Sequence, residues 1–205
     1  MSNSTELLVE RLRQGDSAVL ADLFAAFRDR LKRLVTFRMD RRLNGRVDPS
    51  DVLQEAFIDA NQRVASFVEH PTISAFVWLR EITKQRLVDI HRRHLGAQKR
   101  TVDNEVSINR DGGQNSTSLA IQLIGHLTSP SQIAIRLEIQ LQLEEALDTM
   151  DPLDREVLTL RHFEELSNNE TAEVLGIQKS AASNRYIRAL TRLKTILDQI
   201  PEFGE

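Results

Sequence analysis

The chain contains no cysteine. That removes disulfides, thiolate metal sites and a cysteine nucleophile together. Aromatic residues are scarce, with one Trp, one Tyr and eight Phe in 205 residues. A core with so few rings relies on Leu, Ile, Val and Ala, which suits small helical domains. No apolar run approaches the roughly 18 residues of a membrane span, so no transmembrane segment is expected. The start MSNSTELLVERL is interrupted by charges and does not read as a secretory signal. Glycine-rich phosphate loops and a nucleophile elbow are also missing. His70, His91, His94, His126 and His162 are dispersed. His91 and His94 lie near Asp89 on one predicted helix, but in a basic run that repels a cation. The reading is a cytoplasmic, non-enzymatic protein with no metal, cofactor or catalytic residue.

What is present is unevenly distributed charge. The formal net charge is −3, yet residues 28–46 hold eight Arg or Lys against two acids, and residues 81–100 hold six against two. Residues 138–173 reverse this, with eleven acids and only Arg155 and Arg161 as bases. Residues 176–196 hold five bases and no acid. Local fields of this kind govern binding to a polyanion more than the sum does.

Apolar periodicity predicts an all-α chain of two small helical domains. Leu8, Leu12, Leu20, Leu23, Phe24, Phe27, Leu31 and Leu34 recur at helical spacing, with a corner at Gly15-Asp16 and a turn at Asn44-Gly45. Asp48-Pro49-Ser50-Asp51 reads as a helix start. The following helix places Leu53, Ala56, Phe57, Ala60 and Val64 on one stripe, and Asp51, Gln54, Glu55 and Asp59 off it. His70-Pro71-Thr72 is a break. A long basic helix follows, from about Ser74 to about His94. The pattern then fails, and NRDGGQNSTS reads as a flexible linker, although the apolar patch Leu119–Leu127 suggests a docking helix inside it. Periodicity returns at Ser131, and Asp151-Pro152-Leu153-Asp154 repeats the helix start. The expected domains are 1–98 and 131–200, joined by a linker over 99–130.

The second domain contains a helix-turn-helix pattern. Ser167 and Glu170 form a capping box. Gly176 supplies a corner of positive φ. Lys179 or Ser180 opens the next helix, where Ala182, Tyr186, Ala189 and Leu193 make a buried stripe. Lys179, Ser180, Ser183, Asn184, Arg185, Arg188 and Arg192 are the DNA-contact candidates. Arg and Lys reach guanine or phosphate, Asn bridges adenine, and Ser donates to either. The plainer reading is a helical hairpin with a solvated basic face. An acid-free helix after a glycine corner favours DNA.

With both halves read, the chain resembles bacterial RNA polymerase sigma factors of the extracytoplasmic-function group, over nearly its whole length except the linker. Three segments carry the resemblance. Asp48-Pro49-Ser50-Asp51-Val52-Leu53-Gln54-Glu55-Ala56-Phe57 is similar to the family's polymerase-binding segment. Ser74–Leu79 with Asp89-Ile90-His91-Arg92-Arg93 is similar to its promoter-melting segment. Leu166–Ile177 is similar to its helix-turn-helix.

The resemblance implies roles. Asp51, Gln54, Glu55 and Asp59 would dock the clamp helices of the polymerase β′ subunit, and the acidic 138–173 region, whose plainer reading is a solvated face, would meet the β flap. Trp78, Lys84, Arg86, His91, Arg92 and Arg93 would face the −10 element of promoter DNA. The loop from Phe67 to Thr72 would hold a flipped base, and 179–192 would read the −35 element. An anti-sigma factor is a further partner of the kind the family implies. Trp78 has an alternative reading as plain core. Thr171 stands where the family has an apolar core residue, so a looser helix-turn-helix is expected, and Ala181-Ala182 replaces a Thr-Val pair. The functional alternative is a conventional helix-turn-helix regulator with an N-terminal dimerisation or sensing domain. It predicts sequence-specific duplex binding without polymerase. A structural adaptor predicts no salt-dependent DNA affinity.

Overall fold

The computed structural model describes residues 3–69, 72–95, 116, 119–121, 123 and 133–199. Among them all regular structure is helical. The chain divides into two units, Met1–Val102 and Asp103–Glu205.

The first unit contains α1 (Asn3–Arg13), α2 (Leu20–Arg38), α3 (Pro49–Glu69) and α4 (Ala75–Leu95). Gly15, at φ 92°, makes the turn after α1 at little steric cost. α2 buries Leu20, Leu23, Phe24, Phe27, Leu31 and Leu34, the spacing of a core-facing stripe. α3 starts at Pro49, where the Asp48 carboxylate accepts the Ser50 N–H at 2.7 Å. It buries Leu53, Ala56, Ala60 and Val64, while Phe57 is half-buried and edge-on to Phe24 at 5.3 Å. α4 packs against both α2 and α3. It is therefore buried around much of its girth: Phe76, Leu79, Ile82, Leu87 and Ile90 are joined by Arg80, which is fully buried and donates to Glu81 at 2.6 Å. His70 and Pro71 lie outside the described residues.

The second unit contains α5 (Ile133–Asp148), α6 (Pro152–Leu158), α7 (Asn168–Leu175) and α8 (Lys179–Leu197). A π turn over Thr159–Phe163 extends α6. Its buried apolar residues include Ile139, Leu143, Leu147, Val157, Leu158, Leu160, Ala182, Ala189 and Ile196. Within the stretch read as linker, Leu119 and Ala120 are buried. Ser116 there donates to Asp148 at 2.7 Å and accepts from Arg155, itself paired with Asp148. Ser116 is thus tied to the α5–α6 corner of its own unit. Gly112 and Gly113 lie outside the described residues.

Candidate nucleic-acid and partner interfaces

Local chemistry builds the helix-turn-helix. The Ser167 hydroxyl accepts the Glu170 N–H at 3.2 Å, and the Glu170 carboxylate accepts the Ser167 N–H at 2.7 Å, so both reciprocal bonds of a capping box are made. α7 ends at Gly176, at φ 62°, with the Ile177 N–H reaching back to the Ala172 carbonyl at 3.0 Å. That is a left-handed glycine closure. The Asn168 side chain donates to the Lys179 carbonyl at 3.0 Å, tying the first turn of α7 to the start of α8. Thr171 does not loosen the unit. It is fully buried, and its hydroxyl donates to the Ser167 carbonyl at 2.9 Å, which removes the cost of burying it.

On α8, Ala182, Ala189 and Ile196 are buried, and Tyr186 and Leu193 are half-buried. The Tyr186 hydroxyl lies 3.0 Å from His162 Nε2, and Arg161 sits over its ring at 5.1 Å. Burial, then the Arg161 charge, pushes the His162 pKa down, favouring the neutral ring. On the opposite side, Ser180, Asn184, Ile187 and Thr191 are exposed at steps of four, three and four. This strip carries no acid. Lys179 is exposed and Ser183 half-buried beside it. Ile187 is 62% exposed in mid-strip, a residue that sequence reading passed over because it is apolar.

Arg185, Arg188 and Arg192 occupy one flank of α8 and face the start of α6. Asp151 caps α6, accepting the Leu153 N–H at 2.8 Å. Asp154, 5% exposed, accepts Arg188 Nε at 2.6 Å, Arg188 Nη2 at 2.7 Å and Arg185 Nη1 at 2.9 Å. Arg192 donates to the Thr149 hydroxyl at 3.3 Å. Arg185, with its side chain 27% exposed, is therefore on the packed flank rather than the open arc. Arg188 remains 59% exposed while gripping Asp154. Burial pushes the Asp154 carboxyl up, but hydrogen bonds and charge from Arg188 and Arg185 together bring it below 3.8.

In the first unit, residues read as serving two different partners meet each other. Arg86 pairs with Asp59 and lies 3.7 Å from Glu55, while Arg93 donates to Glu55 at 2.8 Å. Asp59 is 13% exposed and Glu55 40%, so Asp59 is largely covered by the arginine above it. Asp51 and Gln54 are exposed. Between them and Asn61, at steps of four and three, stands Ile58, 56% exposed. Its spacing from Gln54 was the available signal. On α4, Arg92 is exposed and Lys84 half-buried. His91 Nε2 accepts the Asp40 N–H at 3.2 Å, which fixes the loop after α2. Trp78 stacks on Phe67 at 4.4 Å with ring planes 15° apart and stays half-buried.

The family model for ECF sigma factors matches residues 1–199. The ECF RNA polymerase sigma factor SigW of Bacillus subtilis is 24% identical over 91% of this chain and 92% of its own length. The ECF RNA polymerase sigma-E factor of Haemophilus influenzae is 25% identical over 90% of each. Among solved structures, CnrH in complex with the cytosolic domain of CnrY is similar in fold, with TM-score 0.53 at 21% identity over 97% of this chain and 99% of that one. The family match over nearly the whole length, on a chain of helical units that carries a capped helix-turn-helix, places this protein among the ECF sigma factors, which bind core RNA polymerase and direct promoter recognition and transcription initiation.

Proposed function

We propose that the chain divides this work between its units. α8 reads the −35 element. The observation that carries this is its exposed strip, Ser180, Asn184, Ile187 and Thr191, which holds no acid and lies behind a capping box and a left-handed glycine. Lys179, Ser183, Arg188 and Arg192 border the strip, and Arg185 supports it from the packed side. The apolar Ile187 suits a thymine methyl, and Asn184 suits adenine. The exposed acids of the 138–173 region, Glu145, Asp148, Asp151, Glu165 and Glu173, meet the β flap.

In the first unit, the surface of α3 with Asp51, Gln54 and Ile58 docks the β′ clamp helices. Glu55 and Asp59 border it and act through their arginines. The −10 element meets α4 through Arg92, Lys84 and the exposed edge of Trp78. Arg86, Arg93 and His91 hold that helix to its neighbours, and Arg93 is the one of these most exposed to phosphate. An anti-sigma factor is the proposed inhibitory partner, and the cytoplasm the proposed compartment, in keeping with described helices that are too short or too polar to span a membrane.

The test is transcription with purified core polymerase on a library randomised across both promoter elements. Asn184→Ala is expected to change base preference only in the upstream element, and Arg92→Ala to lower output with no upstream change. Unaltered upstream preference in every α8 variant would refute the assignment.

A further inference from the structure

We propose that Asp154 is a positioning residue for promoter reading, holding the Arg188 guanidinium as a preset fork for one guanine of the −35 element. This deepens, and rests on, the reading of α8 as the upstream-element helix. The two side chains come from different helices and differ sharply in exposure, at 7% for Asp154 and 59% for Arg188. Asp154 takes the Nε–H and one hydrogen of Nη2, at 2.6 and 2.7 Å. Among the described residues, no partner takes the other Nη2 hydrogen or the two on Nη1. One hydrogen of each Nη forms the outer edge of the planar group, the edge that pairs with O6 and N7 of guanine in the major groove.

Several contacts keep the carboxylate still. Asp154 lies in the first turn of α6, one residue after Leu153, whose N–H is held by the cap Asp151. Arg185 grips the same carboxylate at 2.9 Å and reaches Asp151 at 3.4 Å. Arg185 is thus turned inward to the carboxylate and Arg188 outward from it. An arginine already fixed in its plane loses less side-chain freedom when it meets a base. A lysine in its place would keep the charge but not the fork. The arrangement also gives a role to a buried acid of α6 that stands beneath α8, a helix with no acid of its own.

The experiment uses the full chain assembled with core polymerase and a duplex pool randomised across the upstream element. Wild type is expected to prefer guanine at one position by about tenfold or more, and 7-deazaguanine there, which lacks the N7 acceptor, should erase most of that preference. Arg188→Ala and Arg188→Lys should flatten the position and become insensitive to 7-deazaguanine. Asp154→Asn should weaken the same preference several-fold, leaving the other positions and the salt dependence of total binding unchanged. Should Asp154→Asn melt at a much lower temperature, Asp154→Glu, which keeps the charge and displaces the carboxylate, carries the same expectation. Full guanine preference in the Asp154 variants beside a loss in Arg188→Ala would overturn the positioning role and leave the α8 reading standing, as would an equal loss at every position. If neither Arg188→Ala nor Asn184→Ala alters any position, the α8 reading itself fails.

Discussion

The two units handle acid–arginine contacts in opposite ways. In the first, Glu55 and Asp59 on α3 meet Arg86 and Arg93 on α4, and exposure is graded across the set: Asp59 and Arg86 are mostly covered, Glu55 and Arg93 about half exposed. In the second, a single buried carboxylate, Asp154, gathers two arginines, and only one of them reaches far into water. The first arrangement is a seam joining two long helices, and its outer pair can exchange with solvent or a partner at low cost. The second is an anchor. Its acid cannot move without disturbing the α6 cap, so the outer arginine inherits a fixed direction.

The contrast predicts an ordered set of losses. The largest belongs to Asp154→Ala, which leaves the half-buried Arg185 without its main acceptor. A broken, fully buried pair costs roughly 3–5 kcal/mol. Arg185 is partly exposed, so about 2 kcal/mol is expected, measured by chemical denaturation of the full chain. The same residue sets an acid limit. Its folded pKa lies below the ordinary 3.8, so its contribution is complete above that value and is lost as pH falls through the folded pKa. Wild type should therefore lose more stability than Asp154→Asn as pH falls below the ordinary carboxylate pKa. Parallel acid profiles would show that the anchor holds nothing.

The seam should respond less, and unevenly. Asp59→Asn, at the covered end, is expected to cost about 1–2 kcal/mol. Glu55→Gln, at the wet end, should cost no more than about 1 kcal/mol, with the effect falling as salt rises. Equal, salt-independent losses at both positions would mean that the seam is buried throughout and that the distinction between the units is mistaken.

Much of this fold could be read from the chain itself. The starts at Pro49 and Pro152, the capping box at Ser167 and Glu170 and the glycine at 176 are local. Each is decided within a few residues by hydrogen bonds and allowed φ values. The pairings that shape the interfaces are not local. Glu55 and Arg93 are 38 residues apart, and Asp154 and Arg188 are 34 apart. A helical wheel gives a residue's angle from the apolar stripe but not which neighbouring helix covers the stripe's flank. Asp59 and Arg185 both lie just beside such a stripe. Periodicity therefore placed them on open faces, and packing covered them. Thr171 shows the converse: a polar residue fits a core position once its hydroxyl can return to the carbonyl one turn earlier.

The smallest effect on stability, and the most discriminating for the first unit, is expected at Ile58. Its side chain is 56% exposed, so Ile58→Ser removes little buried surface and should leave the denaturation midpoint within about 0.5 kcal/mol of wild type. Its place between Gln54 and Asn61 puts an apolar group at the centre of the surface proposed to meet the clamp helices. The most effective binding residues sit at such centres, inside a polar rim. Capture of core polymerase by Ile58→Ser should fall about tenfold, comparable to Asp51→Arg, and the loss should persist in high salt because the contact is apolar. Glu55→Gln, at the rim, should lose affinity less and in a salt-dependent manner. Undiminished capture by Ile58→Ser, together with a large loss for Glu55→Gln, would move the docking surface onto the seam itself, making its arginines competitors of the polymerase rather than supports beneath it.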